Sequence, residues 1–288
     1  MPLNASAVGM TVRSEPLAVT ARRVLAFAAM FSDVSARELD DAAADGLAAC
    51  PYLCVTYEWI YTRLIRGSNA LGLTADEARR GVHAGQDTMF HSPLRAGTTI
   101  RVEAQIEAIR PTRAGALMTT RIRLVDAATG EPRTTSRIES ILRGVAVAGE
   151  PSAAPPSATA GEPPIAGANV RMPIARGFAH VYTECADIWN PIHTERRIAV
   201  AAGLPDIIVH GTALWALAGR EIVAAHGGGD SRRLARLACR FSAMVVPGTT
   251  VTLEHAPSAD PPRCIGFTMR NEAGAAALTR GVAELRPP

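Results

Sequence analysis

Trp189-Asn190-Pro191-Ile192-His193-Thr194-Glu195 places an imidazole on a constrained turn, and His210-Gly211-Thr212 opens an apolar stretch further on. Proline fixes its own φ and drives the preceding residue out of the α region, so Asn190-Pro191 predicts a turn. His193, two residues later, is then held by backbone geometry, as a catalytic acid or base must be. The apolar run after Gly211 predicts a helix whose first N–H groups lack intrahelical partners and carry the positive end of its dipole. Beside a thioester carbonyl, those donors would stabilise an enolate-like oxygen. An imidazole with such a site suits proton transfer at the carbons next to the carbonyl. Plainer readings stand beside these. His193 could cap the next helix, His210 could bond its own loop, Thr212 could satisfy backbone amides and Asn190 could anchor the turn.

The elements that must position these groups are bounded by composition. The chain has 288 residues, 48% of them hydrophobic, enough for one large domain or two smaller ones with a sizeable core. No apolar run is long enough to span a membrane, and the first residues lack the pattern of a secretory signal. The net charge of +3, with no basic block, argues against nucleic acid as partner. Cys50, Cys54, Cys185, Cys239 and Cys264 are scattered and complete no zinc set. Free thiols in a reducing cytoplasm are the expectation, with neither metal nor cofactor.

Residues 145–168 are rich in Pro, Ala, Gly and Ser and read as a linker between residues 1–144 and 169–288. The flanking halves repeat one another. Phe90, Gly97, Thr98, Thr99 and Glu103 recur as Phe241, Gly248, Thr249, Thr250 and Glu254, at a constant offset of 151 positions. Each half predicts a mostly apolar helix (52–65 and 212–225) followed by alternating segments. These are 86–92, 99–109, 116–125 and 133–142, then 234–245, 250–255, 263–271 and 275–285. Alternation of this kind predicts half-buried antiparallel strands. The fold class is therefore α+β: two antiparallel sheets, each wrapping a helix, closing on one another as a fused pseudo-dimer.

That layout resembles the double hot-dog fold, and the motif residues resemble the MaoC-like acyl dehydratases and R-specific enoyl-CoA hydratases. The likeness covers 170–285 well and 17–142 only as a degenerate copy. The family pattern is Gly-Asp-x-Asn-Pro-x-His, followed by a His-Gly pair that opens the central helix. Asn190, Pro191, His193, His210 and Gly211 match it. The resemblance implies that His193 is a catalytic acid/base and that the Gly211 amide holds the thioester oxygen. It implies an acyl chain on CoA or acyl carrier protein as substrate. One departure stands out: the family aspartate falls on Ile188, and the glycine before it on Asp187. Asp187 is the first choice for the missing carboxylate, with Glu184 and Asp206 behind it, and capping is its plainer role.

At the same offset the first half has neither the histidine nor the Asn-Pro turn, so one site per chain is expected. Trp59, Trp189 and Trp215 read as core or tunnel wall, with Trp189 nearest the acyl group. Arg232, Arg233, Arg236 and Arg240 form a basic cluster that reads as a solvated strand edge or as a seat for CoA phosphates. The resulting expectation is reversible hydration of an enoyl thioester by a cytoplasmic homodimer. A hot-dog thioesterase and a non-catalytic acyl-binding subunit are the rival readings.

Overall fold

The computed structural model describes residues 2–67, 71–153, 167–258 and 264–287. The first half runs β1 (Leu3–Asn4), β2 (Thr11–Arg13), β3 (Leu17–Ala18), α1 (Ala21–Ala29), α2 (Cys54–Gly67) and α3 (Ala75–Arg79). Strands β4 (Gly81–Phe90), β5 (Thr99–Thr112), β6 (Gly115–Asp126), β7 (Pro132–Arg143) and β8 (Val147–Ala148) complete it. The second half runs β9 (Ala168–Pro173), α4 (Phe178–Ala186), α5 (Arg196–Ala201), α6 (Gly211–Gly227), β10 (Leu234–Phe241), β11 (Thr250–Pro257), β12 (Cys264–Arg270) and β13 (Ala276–Leu285).

The repeat is structural. Phe90 and Phe241 end β4 and β10, and Thr99 and Thr250 begin β5 and β11. Gly97 and Gly248 both hold positive φ, at 84° and 89°, which explains glycine at both turns. Long antiparallel strands form because apolar side chains alternate inward along β5 and β11. Helix α6 is apolar almost all round, and its residues from Thr212 to Val223 are largely buried. Gly219 lets it approach the first half, since a Cβ there would lie 2.5 Å from the Tyr52 ring. Trp215 packs edge-on against Tyr52 with centroids 5.7 Å apart. Helix α2 carries an acid into the core: Glu58 is buried among Ser136 and Gln86, and burial raises its pKa.

Two expectations are corrected here. The halves do not close face to face. Their edge strands β4 and β10 pair antiparallel, giving one sheet of eleven strands ordered β2-β5-β6-β7-β4-β10-β13-β12-β11-β9, with β3 also on β5. Pairing satisfies two rows of backbone groups that would otherwise be unpaired edges. The expected linker also begins too early. Val145 is buried, β8 pairs with β1, and Ser152 N–H donates to Ile109 O at 3.2 Å. Residues 154–166 of that segment lie outside the described residues.

Arg236 secures the junction. Its guanidinium meets Asp87 of β4 at 2.7 and 3.0 Å and Glu284 of β13 at 2.8 Å. Both Arg236 and Asp87 are largely shielded, so removing one leaves a poorly solvated charge. Arg236→Ala is expected to lower unfolding free energy by about 3 kcal/mol, read from urea denaturation monitored by circular dichroism.

Candidate active site

The loop that carries His193 is shaped from α4 onward. Asp187 caps α4 in the left-handed region at φ 53°, and its N–H donates to Thr183 O. Asn190 then caps the short 3₁₀ turn Pro191–His193, its side chain accepting from Ile192 N–H at 3.4 Å. The loop is tied to the segment entering α6: Ile208 N–H donates to Ile192 O at 3.3 Å, and Val209 N–H to Val245 O at 2.8 Å.

His193 lies 2.7 Å, through Nδ1, from Ile208 O. A carbonyl only accepts, so Nδ1 carries the proton and Nε2 offers a lone pair. The ring stacks on His210 with centroids 3.7 Å apart and 25° between planes. His210 Nε2 faces Ile188 O and Thr183 Oγ1, each at 3.3 Å. Thr183 spends its own proton on Ala179 O, so His210 Nε2 is the donor. His210 Nδ1 is left buried, an acceptor without a partner among the described residues. Burial pulls the His193 pKa down to about 4, partly opposed by the bond to Ile208 O. Burial and the neighbouring His193 hold His210 well below its usual value. Two neutral imidazoles result.

Gly211 begins α6 directly beside this pair. Among the described residues, no acceptor meets its N–H or that of Thr212; Ala213 and Leu214 N–H both go to His210 O. The Phe241 ring covers Gly211, so closely that a Cβ would lie 2.8 Å from Cδ1. His83, from β4 of the first half, packs edge-on against Phe241 at 4.6 Å. Thr212 accepts from Tyr182 OH at 2.9 Å, and Tyr182 lies 4.9 Å from the His210 ring.

Each residue singled out in the sequence can now be placed. His193, His210, Gly211 and Thr212 come together, and Asn190 anchors their loop. Asp187 points elsewhere. Its carboxylate is half-exposed, pairs with Arg23 at 3.5 Å and Arg63 at 3.8 Å, and touches neither imidazole. Ile188 is buried, and its carbonyl oxygen accepts from His210 Nε2. Asp206 caps Ile207 and meets Arg196, and Glu184 makes no contact with either ring. Trp189 is a correction: it is 62% exposed, not tunnel wall, because the turn at Asp187 swings it outward as Ile188 turns in. Trp215 is core, and Trp59 packs partly buried against it.

The basic cluster resolves mostly into ion pairs. Arg232 meets Asp230, Arg236 meets Asp87 and Glu284, and Arg240 meets Glu139. Sequence reasoning missed Tyr182, Thr183 and His83. Nothing in the spacing of His83, more than a hundred residues from His193, marks it as a neighbour of this site.

Residues 164–261 match the model of the MaoC like domain, and residues 6–132 match that of the FAS1-like, dehydratase domain region. The second half is thus similar to a MaoC-like domain and the first half to a FAS1-like dehydratase region. A 3-hydroxyacyl-thioester dehydratase of Mycobacterium tuberculosis is 29% identical over 174 residues, 59% of this chain and 60% of that protein's length. The chain thus matches less than two thirds of that relative. A MaoC-like dehydratase from Phytophthora capsici superposes with a TM-score of 0.80 at 18% identity, covering 99% of this chain and 98% of the other. A Mycobacterium tuberculosis protein with a double hot-dog fold superposes at 0.61 with 12% identity, covering 96% and 95%. The fold of this chain is accordingly a double hot-dog.

The close cover of Gly211 generates a prediction. Gly211→Ala drives a methyl into Phe241, which His83 braces from behind, and should cost about 1–3 kcal/mol of stability. Phe241→Leu in the same chain should recover most of that loss, measured by urea midpoints.

Proposed function

We propose that the chain hydrates enoyl thioesters reversibly, or dehydrates 3-hydroxyacyl thioesters, on CoA or an acyl carrier protein. The observation that carries this is one imidazole with a free Nε2 lone pair stacked against the residue that opens α6. The likeness of the second half to a MaoC-like domain and the activity in the name of the mycobacterial relative support it. In the hydration direction His193 Nε2 takes a proton from water as the oxygen bonds to the β carbon. The Gly211 N–H and the dipole of α6 hold the enolate oxygen. The imidazolium then returns its proton to the α carbon, so water adds as OH and H and the imidazole is regenerated.

This scheme needs no carboxylate, which suits the site. Asp187 holds a left-handed φ that favours glycine, and glycine is the family residue at that position in the resemblance. The loop is therefore in register, with Ile188 in the aspartate's place and Asp187 tied to Arg23 and Arg63 instead of serving as acid. A non-catalytic acyl-binding role is the second reading, favoured by that same buried isoleucine. Cysteines held in no disulfide among the described residues suit a cytoplasmic setting. A homodimer remains part of the proposal, with exposed Trp189 as surface for a second copy to cover.

Crotonyl-CoA mixed with the protein should lose the ultraviolet absorbance of its conjugated enoyl group. His193→Ala should slow that loss by about 10²–10⁴-fold. Undiminished activity in the variant removes His193 from the mechanism; saturable binding without turnover in the wild type favours the acyl-binding role. The base works only when neutral, so kcat/KM should stay level from neutral pH downward and fall as pH drops through about 4. An acid limb at the ordinary histidine value contradicts a buried base.

A further inference from the structure

His210 keeps a ring nitrogen that its surroundings do not use. The residue is only 3% exposed, and its Nδ1 has no partner among the described residues. Nε2 is the donor on this ring, facing Ile188 O and Thr183 Oγ1, so Nδ1 retains a lone pair. A buried acceptor of this kind is costly unless a donor reaches it. The hydroxyls closest to the ring are engaged elsewhere: Thr183 donates to Ala179 O, and Tyr182 to Thr212 Oγ1. A small molecule entering the site is the fitting donor.

The same nitrogen stands at a helix start. His210 is the N-cap of α6, and its side chain caps none of the helix N–H groups. Nδ1 is the ring nitrogen nearer its own backbone, which keeps it close to the Gly211 N–H that follows. His193 stacks on the ring with centroids 3.7 Å apart, and at that spacing one water can reach a nitrogen of each. Its Nδ1 is fixed on Ile208 O, so the lone pair left on His193 is at Nε2. Two acceptors call for a ligand that donates twice. Water does so and keeps both oxygen lone pairs free.

We propose that His210 Nδ1 and His193 Nε2 together hold the water that adds to the substrate, which makes His210 a second catalytic residue. The assignment rests on the hydratase reading of this site. A water bonded to His193 alone turns freely about that bond; held by both hydrogens, it presents its oxygen to the β carbon. One O–H bond then breaks, its proton passing to His193 Nε2 as an oxygen lone pair bonds to the β carbon. The π pair moves toward the carbonyl, whose oxygen rests at the Gly211 N–H. The other hydrogen stays on the new hydroxyl, still bonded to His210 Nδ1, and the proton on His193 passes to the α carbon. Only two carbons separate the thioester oxygen from the β carbon, so the group that aims the water must stand close to the amide that holds the oxygen. His210 and Gly211 are chain neighbours. The side chain of Ile188 brings no acceptor, yet its carbonyl sets the tautomer that frees Nδ1.

Asparagine and glutamine separate the two ring nitrogens, because the Asn amide reaches the Nδ1 position and the Gln amide the Nε2 position. His210→Gln keeps a donor for Ile188 O and loses the water acceptor, so kcat for crotonyl-CoA should fall about 10²-fold with KM close to wild type. His210→Asn should stay within about tenfold of wild type. A His210→Asn rate equal to or below that of His210→Gln overturns the proposal, since anchoring to Ile188 O would then be what His210 supplies.

Urea midpoints establish that both variants fold. Should either misfold, a high-resolution crystal structure of the wild-type chain decides, independently of turnover. One ordered water bonded to both His210 Nδ1 and His193 Nε2 is expected. Finding no water at His210 Nδ1, or one that His193 does not share, refutes the assignment. A wild-type chain that holds this water and leaves crotonyl-CoA unchanged would end the hydratase reading, and with it the catalytic role, while the shared water site stood.

Discussion

The site depends on one hydrogen bond, from His193 Nδ1–H to Ile208 O at 2.7 Å. It joins the Asn-Pro loop to the segment that enters α6, and so fixes where the ring lies relative to Gly211. It also decides the tautomer, leaving Nε2 as the acceptor. Stacking on His210 follows from that orientation, and burial of the stacked pair keeps both rings uncharged because desolvation penalises imidazolium. In the proposed mechanism, that neutrality makes His193 available as a base at ordinary pH. The cost is a buried orphan at His210 Nδ1, of the kind tolerated at functional sites.

The first half braces this arrangement from several sides. Arg23 of α1 and Arg63 of α2 hold Asp187, so the end of α4 is fastened by charges from another part of the chain. Arg220, the guanidinium on the largely apolar α6, crosses to Asp33 and Glu38 and lies 4.7 Å over the Phe31 ring. His83 braces Phe241 from β4, and the β4–β10 pairing runs the sheet unbroken behind both helices. Duplication followed by divergence of one copy explains why the His193 loop, whose Asn-Pro turn and histidine the first half lacks at the matching offset, is supported from both halves.

Much of this was legible in the sequence. Apolar alternation marks the long strands, and the Phe, Gly-Thr-Thr and Glu repeat marks the duplication, since Gly97 and Gly248 meet the same backbone demand. The Asn-Pro turn and the His-Gly helix start identify His193 and Gly211 because proline geometry and helix ends are local properties. What depends on distant partners was not legible. Edge-to-edge joining of the sheets requires knowing which strand lies beside β10. The outward turn of Trp189 and the ion pairs of Asp187 follow from one left-handed residue, a conformation that aspartate adopts only occasionally. Residues 145–153 look like linker by composition but pack because β1 and β5 lie within reach.

Nitrogen-15 NMR of histidine-labelled protein tests the neutral, Nδ1-protonated state of His193 most directly. Between pH 8 and 5 its Nε2 should show the shift of an unprotonated ring nitrogen, with protonation only near pH 4. A His193 that carries its proton on Nε2, or titrates near the unperturbed value of about 6.5, would mean that the bond to Ile208 does not set the base, and the mechanism built on it would fall.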